Sequence, residues 1–472
     1  MKNIQLDCGI LDKLPQHSYQ NISAMPLSNP TLVSVNKPLA QEMGLTLDTL
    51  STDEFLRFIN GDYIVNGSKP FAKAYSGHQF GYFVPNLGDG RAINLGKLEK
   101  YHLQLKGAGV TPYSRDGDGR AVLRSSIREY LMSEAMYGLG IPTTRAVAII
   151  SSSTTRVLRN YEQEKGAIVL RASSSWIRFG SFEFAYLGKK KKENIQKLAD
   201  LVIEENYNHL QDKQNKYEEL YFAVVDKTIE LLALWQSVGF MHGVMNTDNM
   251  SIDGLTIDYG PYAMMEEFDK GFICNLSDKE GRYSFENQPF IAHWNLSVLA
   301  KVLSPIADHK LLESYNDTFI KKYKKRYFAI MKEKLGLHDT TIDDTSLLLR
   351  MFSALHSESI DYTSFFYGLS TGDFSFIETS QLKSWLELYK KRLEKEELSK
   401  KDRLTKMKAI NPKYILRNYM LQDAIDAAEN GDFNLVDNLL NIAQNPYAEH
   451  KGFEHYTQVN KKFRALKCSC SS

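Results

Sequence analysis

The stretch from His242 to Gly260, HGVMNTDNMSIDGLTIDYG, has the residue types and spacing of a phosphoryl-transfer loop with one part replaced. In a protein-kinase catalytic segment, His-Arg-Asp-Leu-x-x-x-Asn is followed by Asp-Phe-Gly. The first Asp takes a hydroxyl proton, and the Asn and the last Asp hold metal. Laid on that pattern, His242 stands at the His, Asn249 at the Asn, and Asp258-Tyr259-Gly260 at Asp-Phe-Gly. Val244 stands where the proton-accepting Asp belongs, and a valine can neither accept a proton nor orient a nucleophile. The metal-binding half of the loop is present and its usual base is not. Asp248, beside Asn249, is the carboxylate to which base work would fall.

A nucleotide with a divalent metal also needs cations for the phosphate oxygens and backbone N–H groups close by. Lys106 ends a strand in HLQLKGAG, and Glu129 lies on the following helix, where a kinase places a lysine and its pairing glutamate. Arg91 follows a glycine turn directly, and Arg171 and Arg178, in LRASSSWIRFG, could converge with Lys106 on one anion. Guanidinium groups bind phosphate in fork geometry, and burying several without an anion is costly. The plainer reading pairs these arginines with local acids such as Glu183. If instead they hold the terminal phosphate inside, ATP lies reversed with its α-phosphate facing the loop, and the transferred group is AMP.

The elements that must position these groups read as follows. Residues 1–70, with prolines at 15, 26, 30 and 38, suggest an extended arm wrapping the body. LGDGRAINLGKLEKYHLQLKGAG reads as strand, turn, strand; no GxGxxG or GxxxxGK[ST] completes its glycine pairs, so plain turns explain them as well. Leu123, Ile127, Leu131 and Ala135 recur at helical spacing, which predicts a helix starting near Asp118-Gly119 and stopped by Gly138, Gly140 and Pro142. Such an N-terminus offers N–H groups to an anion, or Asp116 or Asp118 simply caps it. Strands resume through TTRAVAIISSS, TTRVLRN and GAIVLRASSS. From residue 193 the chain is mostly helical: a stripe from Tyr217 to Trp235 leads into His242, and further helices are expected at 295–303, 310–335, 380–397, 413–429 and 433–443. The result is an α+β chain with a mixed lobe at 71–187, a mostly helical lobe at 188–400, an N-terminal extension at 1–70 and C-terminal helices with a tail at 401–472.

Composition bounds the function. The chain's 472 residues, 43% hydrophobic, can bury a large core. Its 58 basic and 57 acidic residues leave a net charge of +1, so no global field favours nucleic acid or an anionic membrane. The four lysines 189–192 read as a solvated face. No run approaches the ~18 apolar residues of a membrane helix, and the N-terminus lacks a signal-peptide core, so a cytoplasmic location is expected. Four scattered cysteines exclude a disulfide framework. Cys274, downstream of Asp258-Tyr259-Gly260, and Cys470, in the tail, are candidates for a reversible regulatory bond; four reduced thiols or a local Cys468–Cys470 bond are the alternatives.

The chain resembles the selenoprotein O (YdiU) family of kinase-like protein adenylyltransferases. The resemblance is carried by YSGHQFG (75–81), LGDGRA (87–92), QLKGAGVTPYSRDGDGRAVLRSSIREYL (104–131), GIPTTRA (140–146), IRFGSFEF (177–184), HGVMNTDNMSIDGLTIDYGPY (242–262) and the CSCSS end. It implies a two-lobed kinase-like fold that binds ATP in a flipped orientation and moves AMP onto Ser, Thr or Tyr hydroxyls of proteins. Uridylyl transfer from UTP with manganese is also attributed to bacterial members. By matching motif, Gly88, Gly90, Arg91, Lys106, Asp118, Gly119, Arg171, Arg178 and Asp258 would contact the nucleotide, Asp248 would be the base, Asn249 and Asp258 would hold Mg2+ or Mn2+, and Glu129 would hold Lys106. Cysteine stands where some members carry selenocysteine. An ordinary kinase and an inactive nucleotide-binding scaffold are the competing readings; Val244 argues against the first, Asn249 and Asp258 against the second.

Overall fold

The computed structural model describes residues 1, 4–159 and 161–460. Cys468 and Cys470, and with them the bonds Cys274–Cys470 and Cys468–Cys470, lie outside the described residues. Among the described residues one antiparallel sheet of nine strands fills the first part of the chain. From edge to edge it runs Tyr19–Asn21, Phe71–Gln79, Ala92–Leu98, Tyr101–Lys106, Glu162–Ser173, Arg145–Arg159 and Pro30–Val35. Tyr82–Gly88 folds back on Phe71–Gln79, and the two-residue strand Ala121–Val122 pairs with Glu162–Ser173.

Alternation along the central strands divides the sheet's faces between two cores. Ala167 and Val169 point to the helix Leu123–Gly138, whereas Ile168 and Leu170, with Leu103 and Leu105, point to a second core that includes Leu39, Phe55 and Ile59. Residues 1–70 are therefore more than an extended arm. They supply both edge strands of the main path and the short helices Lys37–Glu42, Leu47–Leu50 and Asp53–Asn60, which cover the sheet's outer face.

The helix near Asp118 begins later than its periodicity predicts, at Leu123. Arg120 is bridged to Ala108, and Ala121 and Val122 are taken into the sheet opposite Ala167 and Gly166. Sheet pairing holds these residues extended, so Asp118-Gly119 is a loop rim and not a helix N-terminus. The remainder of the chain is largely helical, as the pattern after 193 predicts. Lys216–Val238 buries Leu220, Tyr221, Val224, Thr228, Leu231, Leu232 and Trp235 of the expected stripe. The expected 310–335 helix is broken at Asp317-Thr318 into His309–Asn316 and Phe319–Lys334. The expected 413–429 helix starts only at Asn418, because the Lys413 and Tyr414 N–H groups both donate to Pro446 O. The expected 295–303 helix starts earlier, as Gln288–Leu303, and the expected 380–397 helix ends at Leu393; Lys191–Asn206, Thr345–Ser357, Tyr362–Thr371 and Lys400–Ile410 are further helices of this part. No helix among the described residues is long and apolar enough to cross a membrane.

Leu123–Gly138 is buried nearly all round because Asn418–Glu429 and Asn434–Gln444 close its far side. At Gly138 a Cβ would lie 2.1 Å from the carbonyl oxygen of Ala443, a backbone atom that cannot swing away. Gly138→Ala should therefore lower stability by about 1–3 kcal/mol, as overpacking does. A fall in the denaturant midpoint with unchanged slope is the expected measurement; an unchanged midpoint would mean that the C-terminal helices are free to shift.

Candidate functional site

The register of two central strands places the first cations. Gln104 pairs with Arg171 across the ladder, and Lys106 lies two residues further on the same face as Gln104. From there Lys106 Nζ reaches Glu129 Oε2 at 2.7 Å, and Arg171 Nη1 reaches Glu129 Oε1 at 2.6 Å. The second Arg171 Nη donates to Gln104 Oε1. Arg178, ahead of the helix Phe179–Ala185, donates to the backbone oxygen of Asp248 at 2.8 Å. All three cations converge on Asp258: Lys106 at 3.1 Å, Arg171 at 2.7 Å and Arg178 at 2.5 Å. The arginines thus do pair with acids, but with Glu129 and Asp258; Glu183 is 2.6 Å from His78 Nδ1 instead.

The backbone of Asp258 has φ of 60°, a left-handed conformation uncommon outside glycine. It is held there by its neighbours. The Tyr259 ring is buried and its hydroxyl bonds to Thr143 Oγ1, while His242 Nε2 bonds to Ile257 O at 2.9 Å and its ring stacks on Trp235. Burial lowers the His242 pKa, so the ring is neutral and acts as a strut. Burial alone would raise the Asp258 pKa, but Arg178, Lys106 and Arg171 together hold it well below the usual carboxylate range.

These groups floor a cleft of about 570 Å3. Gly88, Gly90, Arg91, Asp118, Gly119, Val244 and Asn249 line it as well. Seven of the lining residues are Lys or Arg against three Asp, so the cleft suits a polyanion. Asp118 is forked onto Arg159 at 2.7 and 2.9 Å, which fixes the rim. Val244 is buried, and its backbone oxygen accepts from Asn249 Nδ2 at 3.0 Å. That leaves Asn249 Oδ1 as the acceptor end of this side chain.

Among the described residues no group of three or more His, Cys, Asp or Glu is arranged to hold a metal. The Asp258 carboxylate and Asn249 Oδ1 are hard oxygen donors. They fit Mg2+ or Mn2+, which take most of their ligands from phosphate and water.

Asp248 is set apart from this group. Its carboxylate is not among the cleft-lining residues; it lies under the strand Phe71–Gln79, where Gln79 Nε2 donates to Oδ2 at 3.2 Å and Oδ1 has no partner. A Cβ on Gly77 would stand 2.4 Å from Oδ1, so this close approach needs glycine. Burial pushes the Asp248 pKa up to about 6. Gln79, Gln104 and Gly77 were missed when residues were read by chemical type alone; the signal that could have found them is the pair of motifs YSGHQFG and QLKG. Cys274 is buried at 1% exposure against Gly243, so a bond from it to the tail would require its loop to open.

Comparison with known proteins gives the family. The family model described as protein adenylyltransferase SelO matches residues 6–444. The chain belongs to this family. With it, the chain is an enzyme of the nucleotidyltransferase class. It is 42% identical to the protein nucleotidyltransferase YdiU of Aliivibrio salmonicida over 98% of this chain and 97% of that one. It is 44% identical to the protein of the same name from Vibrio atlanticus, over 97% of each. A third, from Myxococcus xanthus, is 42% identical over 98% of this chain and 97% of its own.

The raised pKa of Asp248 has a stability consequence in metal-free protein. Burial disfavours the ionised form, so the penalty is absent below the ordinary value of 3.8, where both states are protonated, and complete above about 6. Asp248→Asn keeps the acceptor for Gln79 and should stabilise the protein at pH 8 by up to about 3 kcal/mol, with little effect at pH 3.5. Thermal melts of both proteins at the two pH values check this; an equal Tm difference at both would show that ionisation is not the cause.

Proposed function

We propose that the cleft binds ATP in reversed orientation, with divalent metal, and transfers AMP to Ser, Thr or Tyr hydroxyls of proteins. In this reading the sheet-rich and helical parts are the two lobes of a kinase-like fold, working in the cytoplasm. The observation that carries it is the composition of the floor: the ion pairs of Lys106, Arg171 and Arg178 are made with Glu129 and Asp258, three cations to two carboxylates, with Asp89 bearing on Arg178 from further off. A kinase needs one lysine and one glutamate there. Two additional arginines favour holding the distal phosphates at the floor, which turns the α-phosphate outward to the loop. Val244 at the usual base position fits the same reversal.

A bound Mg2+ or Mn2+ would be held by Asp258 and Asn249 and would neutralise phosphate charge. The acceptor oxygen then attacks the α-phosphorus and forms a new P–O bond. The bond from that phosphorus to the β-bridging oxygen breaks, and pyrophosphate leaves toward Lys106, Arg171 and Arg178. The hydroxyl proton passes to the Asp248 carboxylate, whose Oδ1 is buried beside Gly77 without a hydrogen-bond partner. UTP is the alternative donor for the same step, moving UMP.

Label from α-phosphate ATP should appear on protein, and label from γ-phosphate ATP should not. Transfer of γ-label alone would restore an ordinary kinase, and labelled UTP run in parallel decides the donor base.

A second outcome separates metal from phosphate binding. Asp258→Asn removes a negative charge from the cationic floor, so metal-free ATP affinity should hold or rise. Metal-dependent transfer should fall by roughly 10²-fold or more. Calorimetry without metal and transfer assays with it read the two effects; a loss of metal-free affinity would make Asp258 a nucleotide ligand in its own right.

A further inference from the structure

The two sides of the catalytic loop face different surroundings. Val244, Asn249 and Asp258 line the cationic cleft, whereas the Asp248 carboxylate is turned to Gly77 and Gln79. An acceptor hydroxyl that gives its proton to Asp248 must therefore arrive past the end of the strand Phe71–Gln79. That end is a tight turn onto Tyr82–Gly88, and Phe80 in it is left-handed, with φ of 51°. A bulky residue in that conformation is strained unless its surroundings hold it. Here the Phe80 N–H donates to Asn246 Oδ1 at 3.2 Å and to the Tyr283 hydroxyl at 3.0 Å, and its ring packs on Tyr283. The turn is thus pinned to the catalytic loop itself.

Around it lies a face that the nucleotide reading does not use. The Arg282 guanidinium lies 4.9 Å from the centre of the Trp294 ring and about 3.5 Å from where a Gly81 side chain would begin. Trp294 meets the His78 ring edge-on at 5.3 Å, and His78 in turn packs against Phe83. Tyr82 is 80% exposed and Phe83 43%. The Arg282 guanidinium makes no ion pair with any described carboxylate; the acid beside it, Asp278, accepts instead from the backbone N–H groups of Arg282 at 2.9 Å and Tyr283 at 2.7 Å. A cation held over an aromatic ring, beside exposed aromatics and without an ion-pair partner, is built to receive an acid from outside.

We propose that this face carries the acceptor polypeptide, and that Arg282 selects acceptors with an Asp or Glu beside the modified hydroxyl. The inference rests on the nucleotidyl-transfer reading and specifies its protein substrate. The aromatics offer area to an extended segment, and Arg282 supplies the charge discrimination.

The test uses the full chain and peptides of one sequence, each with a single acceptor hydroxyl flanked by Glu, Gln or Lys, and α-labelled ATP. Wild type should prefer Glu over Lys by at least about fivefold in kcat/KM. Arg282→Glu should reverse that order, and Arg282→Lys should keep it. Calorimetric ATP affinity, which this face does not touch, reports that each variant is folded. Should Arg282→Glu fail to fold, Arg282→Gln must flatten the preference. An order unchanged in the variants, or no preference in wild type, overturns the proposal while leaving nucleotidyl transfer standing. Label that reaches the chain itself but none of the peptides overturns it too, because flanking charge is then not what is read. No α-label transfer by wild type to any acceptor overturns the functional reading together with it.

Discussion

Three buried cations sharing two carboxylates is the arrangement on which the rest of this structure depends. Removing one partner from such a group strands a charge at low dielectric and costs about 3–5 kcal/mol, so Lys106, Arg171, Arg178, Glu129 and Asp258 stand or fall together. They come from two strands, one helix, a helix entrance and a left-handed turn. Each of those elements must be placed to within a few tenths of an ångström for the distances to hold. The cluster therefore acts as a register pin for the fold, and it sets three cations at the base of the cleft.

The parts of the chain outside the sheet serve that pin. The helix carrying Glu129 is enclosed by the sheet on one side and by the C-terminal helices on the other, and its neighbouring polar groups are tied down as well: Arg128 donates to Tyr262 O at 3.1 Å, and Glu134 is forked by Arg145. Further along, Arg417 is buried at 1% exposure and bonds Glu266 at 2.7 Å and Asp361 at 2.8 Å. That triad ties the segment after Asp258-Tyr259-Gly260 to the C-terminal region, so the helices after residue 400 belong to the same body as the site. Burying Glu134, Arg145, Arg417, Glu266 and Asp361 is acceptable because each has a partner of opposite sign, whereas Arg128 donates to neutral oxygens of Asn418 and Tyr262 and lies over the Tyr262 ring.

The loop from His242 to Gly260 is a partition. On one side its residues complete a cationic cleft; on the other, Asp248 is pressed beneath a strand with one carboxylate oxygen unpartnered. Burial that raises its pKa to about 6 also makes it a better proton acceptor than an exposed aspartate, at some expense in stability. The strained Phe80 turn and the glycine at 77 are further local concessions in the same few residues. Such concessions concentrate where geometry is set by chemistry.

Much of the site was legible in the sequence. The spacing from His242 to Gly260 marked the loop, the valine at 244 and the pair Asn249 and Asp258 that line the cleft, because these depend on residue type and short separations along the chain. The strand of Lys106, the helix of Glu129 and the long helix into His242 were legible too, since periodicity and β-branched runs are local signals. What only the tertiary structure decided is where the charges go. Arg171 and Arg178 met Asp258 and not Glu183, because strand register and the turn at Asp258 set those distances across separations of 80 residues or more. The delayed helix start at Leu123 was decided by pairing with Gly166, the reach of residues 1–70 by the sheet edges they fill, and the side of the loop on which Asp248 lies by a glycine 171 positions earlier. Local pattern determines what a segment can do; burial and register, which are properties of the whole chain, determine which partner each charge finds.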